Sequence, residues 1–121
     1  MAKQGVDFAG LENGNIHPSD IDAVLEFDNE VLILIEIKRE GNPLTTGQRL
    51  LLERICNSWH TGKCVVIFAN HKFYNTDVDV PATECTVRGM YYSSKWHKVD
   101  MNLKDVLNHI GIKWNINKLN F

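Results

Sequence analysis

The sequence predicts an α/β fold built on a mixed β-sheet within a single domain. Three observations carry this. Two runs rich in Val, Ile, Leu and Phe, residues 21–27 and 31–38, flank the turn signal Asp28-Asn29-Glu30. Residues 45–60 place Gln48, Leu51, Leu52, Ile55 and Trp59 at the spacing of one helical stripe. Cys64 to Ala69 is a short unbroken apolar run, the pattern of a buried strand. The hairpin is antiparallel, while strand 31–38, helix 45–60 and strand 64–69 form a crossover with parallel strands.

The elements follow in order. Met1 to Gly10 has no sustained period, and Gly5, Gly10, Gly14 and Asn15 interrupt it. Loop or a single helical turn is expected there, and either a short strand at Asn15–His17 or a partner subunit completes the sheet. In the hairpin, a three-residue loop sets Phe27 opposite Val31, Val24 opposite Leu34, Asp22 opposite Glu36 and Asp20 opposite Lys38. Strand side chains alternate between faces. The odd face, from Ile21 to Ile37, is wholly apolar, and helix 45–60 is expected to cover it. The even face is apolar only at Val24, Leu32 and Leu34; its far end carries Asp20, Asp22, Glu36 and Lys38.

Gly41 and Pro43 end the second strand. Thr45-Thr-Gly-Gln48 fits a capping box for the helix, in which the glutamine returns to the N-cap amide. Gln48 also stands where it could point at the charged end of the hairpin, and that site role is the preferred expectation. Asn70 to Pro81 is polar, with His71, Lys72, Tyr74, Asp77 and Asp79, and reads as a connection. Thr83 to Tyr92 reads as a strand with Cys85, Val87, Gly89 and Tyr91 on one side. A turn at Ser93-Ser94-Lys95 and a partner strand from Trp96 to Val99 follow. Asn102 or Asp100 caps a last helix over 103–110, ended by Gly111. The tail holds Trp114, Ile116, Leu119 and Phe121, too apolar to stay free, so it should dock on its own core or on a second subunit.

At 121 residues the chain suits one domain with a real core. Apolar and charged fractions of 44% and 23% are those of an ordinary globular domain rather than a disordered one. The longest apolar run, Val31 to Ile35, is too short for a membrane span, and no segment reads as a signal peptide. The formal net charge of −2 excludes a globally basic nucleic-acid binder, so any phosphate-binding surface must be local. Three cysteines, an odd number without an export signal, read as reduced thiols in a cytoplasmic protein. Cys56, His60 and Cys64 are spaced suggestively for zinc, but no fourth ligand is near and core thiols are the better reading.

The chemistry-bearing group is the charged end of the hairpin. Directly opposed like charges repel, so Asp22 against Glu36 calls for a cation between them. Clustered carboxylate oxygens suit magnesium or manganese. Lys38 points into the same space. A metal there would polarise a phosphate and activate a water, and the ammonium would steady the developing charge. An ammonium beside two carboxylates keeps its proton, so Lys38 is expected to orient and stabilise rather than to abstract.

Pro18-Ser-Asp-Ile-Asp22 followed by Glu36-Ile-Lys38 resembles the two motif halves of the PD-(D/E)xK nuclease superfamily. The resemblance runs from about Pro18 to Asn70 and is similar to small phage or viral replication-repair and Holliday-junction-resolvase-like members. It implies a restriction-endonuclease-like fold and a Mg2+- or Mn2+-dependent nuclease cutting DNA, with an endonuclease acting on branched or junction DNA as its specialisation. It implies Asp22 and Glu36 as metal ligands, the backbone carbonyl of Ile37 as a further one, and Lys38 as the residue assisting the water. Asp20 is a possible additional ligand, and Gln48, opening a "GQR" helix, an auxiliary catalytic residue. Glu12 stands where some relatives carry an extra acid; a solvated loop carboxylate is the simpler reading. Arg39, Arg49 and Lys72 are candidate phosphate contacts, and aromatics among Arg88, Lys95, His97 and Lys98 are candidate base platforms. Small members of this superfamily often pair to cut two strands, so a homodimer is expected. The rival expectation is a non-catalytic nucleic-acid- or protein-binding module on the same fold.

Overall fold

The first hairpin forms where its turn chemistry puts it. Asp28 and Asn29 both take left-handed backbone angles, φ 54° and 59°, and Glu30 N donates to Phe27 O at 2.9 Å. Asp and Asn tolerate that region better than other side chains. Strands β1 (Ala23–Phe27) and β2 (Val31–Arg39) pair antiparallel in the predicted register, Ala23 opposite Ile35 through Phe27 opposite Val31. Helix α1 (Thr46–Ser58) leads into β3 (Cys64–His71), which lies parallel to β2. Strands β4 (Thr86–Tyr92) and β5 (Lys95–Asn102) follow as an antiparallel hairpin, then helix α2 (Leu103–Lys113). This computed structural model describes residues 6, 7, 9–12, 14, 18–74 and 79–121; the predicted strand at Asn15–His17 and Asp77 lie outside them. The described residues form one five-stranded sheet in the order β1-β2-β3-β4-β5, with β2–β3 the parallel pair. Among them no helix is long and apolar enough to cross a membrane.

The two faces are covered in the opposite sense to the prediction. Val31, Ile33 and Ile35 on the odd face pack with Val65, Ile67, Leu103, Val106 and Ile110, so α2 covers that face. Leu32 and Leu34 on the even face pack with Leu52, Cys56, Val66 and Tyr91, so α1 lies there instead. The reason is supply. The odd face is the larger apolar surface, and α2 with the tail residue Leu119 brings more apolar area than the narrow stripe of α1. The even face needs cover only over its apolar half.

Three further differences have local causes. The segment predicted as the start of a strand at Thr83 is a 3-10 turn, Ala82–Glu84, and β4 begins at Thr86. The register then shifts between Val87 and Gly89. This bulge turns Val87 to the α2 face and Tyr91 to the α1 face, so Cys85, Val87, Gly89 and Tyr91 do not share a side. Gly111 does not end α2. It sits inside the helix because Leu119 packs on it; a Cβ there would stand 2.5 Å from Leu119 O and 2.7 Å from Leu119 Cβ. The tail therefore docks on its own chain, with Leu119 buried.

Candidate active site

Strand β1 stops at Ala23, opposite Ile35, while β2 continues to Arg39. Among the described residues, the last residues of β2 consequently have β3 on one side and no paired strand on the other, leaving a gap there. Even residues of β2 turn their backbone groups to the β3 side: Leu32 N donates to Lys63 O at 3.0 Å and Glu40 N to His71 O at 2.8 Å. By alternation, the N–H and carbonyl of Ile37 face the gap. Asp22 fills part of it. Its Oδ2 accepts from Ile37 N at 2.7 Å, extending the pairing through a side chain where the strand itself has ended.

That bond brings the Asp22 carboxylate to Glu36. Glu36 is only 4% exposed, the one charged residue in the buried set among the described residues. Its Oε1 lies 3.8 Å from Lys38 Nζ, and its Oε2 is buried and receives no hydrogen bond from a donor among the described residues; among them only a proton shared with the Asp22 carboxylate would satisfy it. Burial pushes the Glu36 carboxyl up to about 7, and the negative charge of Asp22 adds to this; the Lys38 ammonium pulls the other way. Asp22, Glu36 and Lys38 thus converge, as the hairpin pairing predicts.

The remaining candidates are placed less uniformly. Gln48 closes the capping box of α1: its backbone N donates to Thr45 Oγ1 at 3.2 Å, and its side-chain Oε1 accepts from Thr45 N at 3.3 Å. Its carboxamide oxygen is committed to the helix's own first turn, so the capping alternative is the one realised in this arrangement. Asp20 is exposed, and no group of three or more His, Cys, Asp or Glu side chains gathers in metal-holding geometry among the described residues. Arg39 lies on the odd side, its guanidinium 5.3 Å from the centre of the Tyr74 ring. Arg49 pairs with Glu53 at 2.7 Å, and exposed Lys72 with Glu40 at 3.9 Å. Cys56 and Cys64 are buried, with Cys56 Sγ donating to Cys64 O at 3.3 Å, and His60 is exposed, as core thiols require.

The donor set present fits a hard divalent cation. Asp22 and Glu36 offer carboxylate oxygens, one of them buried and unsatisfied, and the Ile37 carbonyl faces the same gap. Magnesium characteristically takes one or two carboxylates and completes its shell with water and substrate phosphate. Two acids are therefore sufficient without a third.

Sequence reasoning missed the surroundings of these groups. Phe68 is the partner of Glu36 across β2 and β3, and Gly89 is the partner of Phe68. The strand parity of a parallel pair would have placed Phe68 on the same face as Glu36. Glu53 was not singled out, yet its Oε2 accepts from both Arg49 Nη1 and Trp96 Nε1 at 2.7 Å. No sequence signal reports that bond, because it joins α1 to β5 across 43 residues. Compared with protein-family models, curated proteins and solved structures, the chain gives no match.

Proposed function

We propose that the chain is a divalent-metal-dependent nuclease of the PD-(D/E)xK kind, hydrolysing phosphodiester bonds of DNA on a restriction-endonuclease-like fold. One observation carries the reading: a buried Glu36 with an unpartnered oxygen, set beside a second carboxylate and next to Lys38. Such a group weakens the fold, since burying a carboxyl beside a second acid carries a desolvation cost that its one ion pair, to Lys38 at 3.8 Å, does not fully offset. An arrangement that costs stability is kept for what it does. The element order supports the same reading, with a hairpin that delivers the acids and a crossover helix that starts beside them.

In this reading Asp22 and Glu36 would hold the cation, with the Ile37 carbonyl as a further oxygen donor. A bound magnesium or manganese ion supplies a polarised phosphate oxygen and an activated water. Asp22 is held in place by the Ile37 amide, so its carboxylate is oriented before any ligand arrives. Glu36 must release its proton to take part. Lys38 stabilises the charge that develops on the phosphate. Gln48 supports the site indirectly by fixing the start of α1. The docked tail no longer argues for a second subunit, so pairing into a dimer for two-strand cleavage is a matter for sedimentation.

The experiment is a panel of labelled linear, nicked, flapped, four-way and single-stranded DNAs with magnesium or manganese. Glu36→Gln should abolish cleavage and the heat of manganese binding. Lys38→Met should bind manganese as the parent does and cleave roughly a hundredfold or more slowly at saturating metal. Full activity in both variants would overturn the assignment.

A further inference from the structure

Beyond the apolar half covered by α1, no helix among the described residues lies over the even face of the sheet, and a single row crosses it. Glu36 pairs with Phe68, Phe68 with Gly89, and Gly89 with Lys98. Phe68 is half-buried beside the carboxylates. Trp96 lies against Gly89: a Cβ on that glycine would meet Trp96 Cε3 at 3.5 Å. Phe68, Trp96, Arg49, Leu44 and Pro43 line a shallow, solvent-open slot of about 260 Å³, with Phe68 the cross-strand partner of Glu36. That is smaller than a pocket for a drug-sized ligand, roughly 300–1,000 Å³, and suits one flat ring.

Two features mark the slot as built rather than incidental. Its Trp96 wall and its Arg49 rim are fixed by the same acceptor, Glu53 Oε2, at 2.7 Å each. Charge assistance makes both bonds strong, and the Trp96 and Arg49 bonds hold the Glu53 carboxyl below its ordinary value. The ring and the cation are therefore set before a ligand arrives. The walls are also of one kind: aromatic and aliphatic faces with a guanidinium at the edge. An aromatic ring stacked on such walls gains dispersion and cation–π attraction whatever its hydrogen-bonding edge.

We propose that this slot receives one unpaired nucleobase of the polynucleotide cut at the neighbouring carboxylates, so that the preferred substrate is a single-stranded or splayed DNA segment rather than continuous duplex. The proposal rests on the nuclease reading for the identity of the polymer. A base in a duplex is stacked on both sides and cannot enter. A base that has left the stack can lie along Phe68 and Trp96, which places its own phosphate toward Glu36 and Lys38 and the next toward Lys98.

The experiment is fluorescence anisotropy of the full chain in EDTA, so that binding is read without metal or cleavage. The probes are a short single-stranded oligonucleotide, the same strand made abasic, and the blunt duplex. The parent should bind the single strand roughly tenfold or more tighter than the abasic strand, which keeps every phosphate and loses every ring. Phe68→Leu should bring the two to equal affinity, and Phe68→Tyr should keep the preference. Equal affinity for normal and abasic strands in the parent overturns the slot, as does an unchanged preference in Phe68→Leu. Manganese-dependent cleavage on the same strands separates the two ideas. Cleavage without a base preference removes the slot alone; a base preference without cleavage removes the nuclease and leaves the slot.

Discussion

At Glu36 the folded chain holds a proton that the unfolded chain would release. Its carboxyl is pushed from an ordinary 4.5 up to about 7, by burial first and by Asp22 second. A raised value in the folded state means that folding binds a proton between those two limits. Stability from this group is therefore complete below about pH 4.5, declines as pH rises toward 7, and is flat above. Glu36→Gln removes the ionisation. In EDTA the variant should match the parent near pH 4.5 and exceed it above pH 7 by on the order of 2–3 kcal/mol. Urea unfolding across that range checks it, and parallel curves would show that burial of Glu36 carries no such cost. The same residue explains why Asp22 and Lys38 were legible in advance. Opposed acids and an ExK are local patterns, readable once the hairpin register is fixed. The accident of a shared acceptor, Glu53, is not local and left no trace in the spacing.

Among the elements, α2 and its tail behave as one unit. Alanine normally favours a helix over glycine by about 1 kcal/mol, so Gly111→Ala looks stabilising on propensity alone. The structure reverses the sign. The new methyl would stand 2.5 Å from Leu119 O and 3.1 Å from Ile116 O, both backbone atoms that cannot turn aside. A net loss of about 1–3 kcal/mol is expected, typical of overpacking, with Leu119 released from the core. Thermal unfolding of Gly111→Ala against Gly111→Ala with the tail removed after Asn115 checks it: only the intact tail should make the alanine harmful. Gly111 was read from the sequence as a helix stop because glycine commonly is one. Its real reason is a close approach from eight residues away, which periodicity does not see. The choice of face for α1 failed for a related cause. Both hairpin faces are apolar at their centres, and only the competition with α2 decides which helix takes which. By contrast the first hairpin with its turn at Asp28-Asn29 and strand β3 are specified by residues within a few positions, and they stand as predicted, while the capping box is the alternative that the sequence reading sets second.

For the molecule as a whole, a net charge of −2 leaves little long-range pull on a polyanion. The α1 face carries Lys38, Arg49 and Lys98; Lys38 and Arg49 are paired with Glu36 and Glu53, as Arg88 is with Glu40 and Asp100, so three phosphates is the upper bound and is reached only if those pairs exchange for phosphate. About three phosphates neutralised implies a slope of log affinity against log salt of roughly −2 to −3 for single-stranded DNA. Titration of anisotropy with potassium chloride measures it, and a much steeper slope would point to a basic surface elsewhere. A weak, local field of this sort favours recognition by shape and stacking over steering.

Among the described residues β1 is the outermost strand, short, largely exposed and joined to a single neighbour. The carboxylate of Asp22 hangs from its end and reaches inward to the Ile37 amide. An outer strand of that kind frays more readily than the centre of a sheet. Fraying would carry one acid away from the other, whereas an ion gripping both would rivet the margin of the sheet to its middle. Assembly of the reactive centre and ordering of the sheet's margin are then one and the same event.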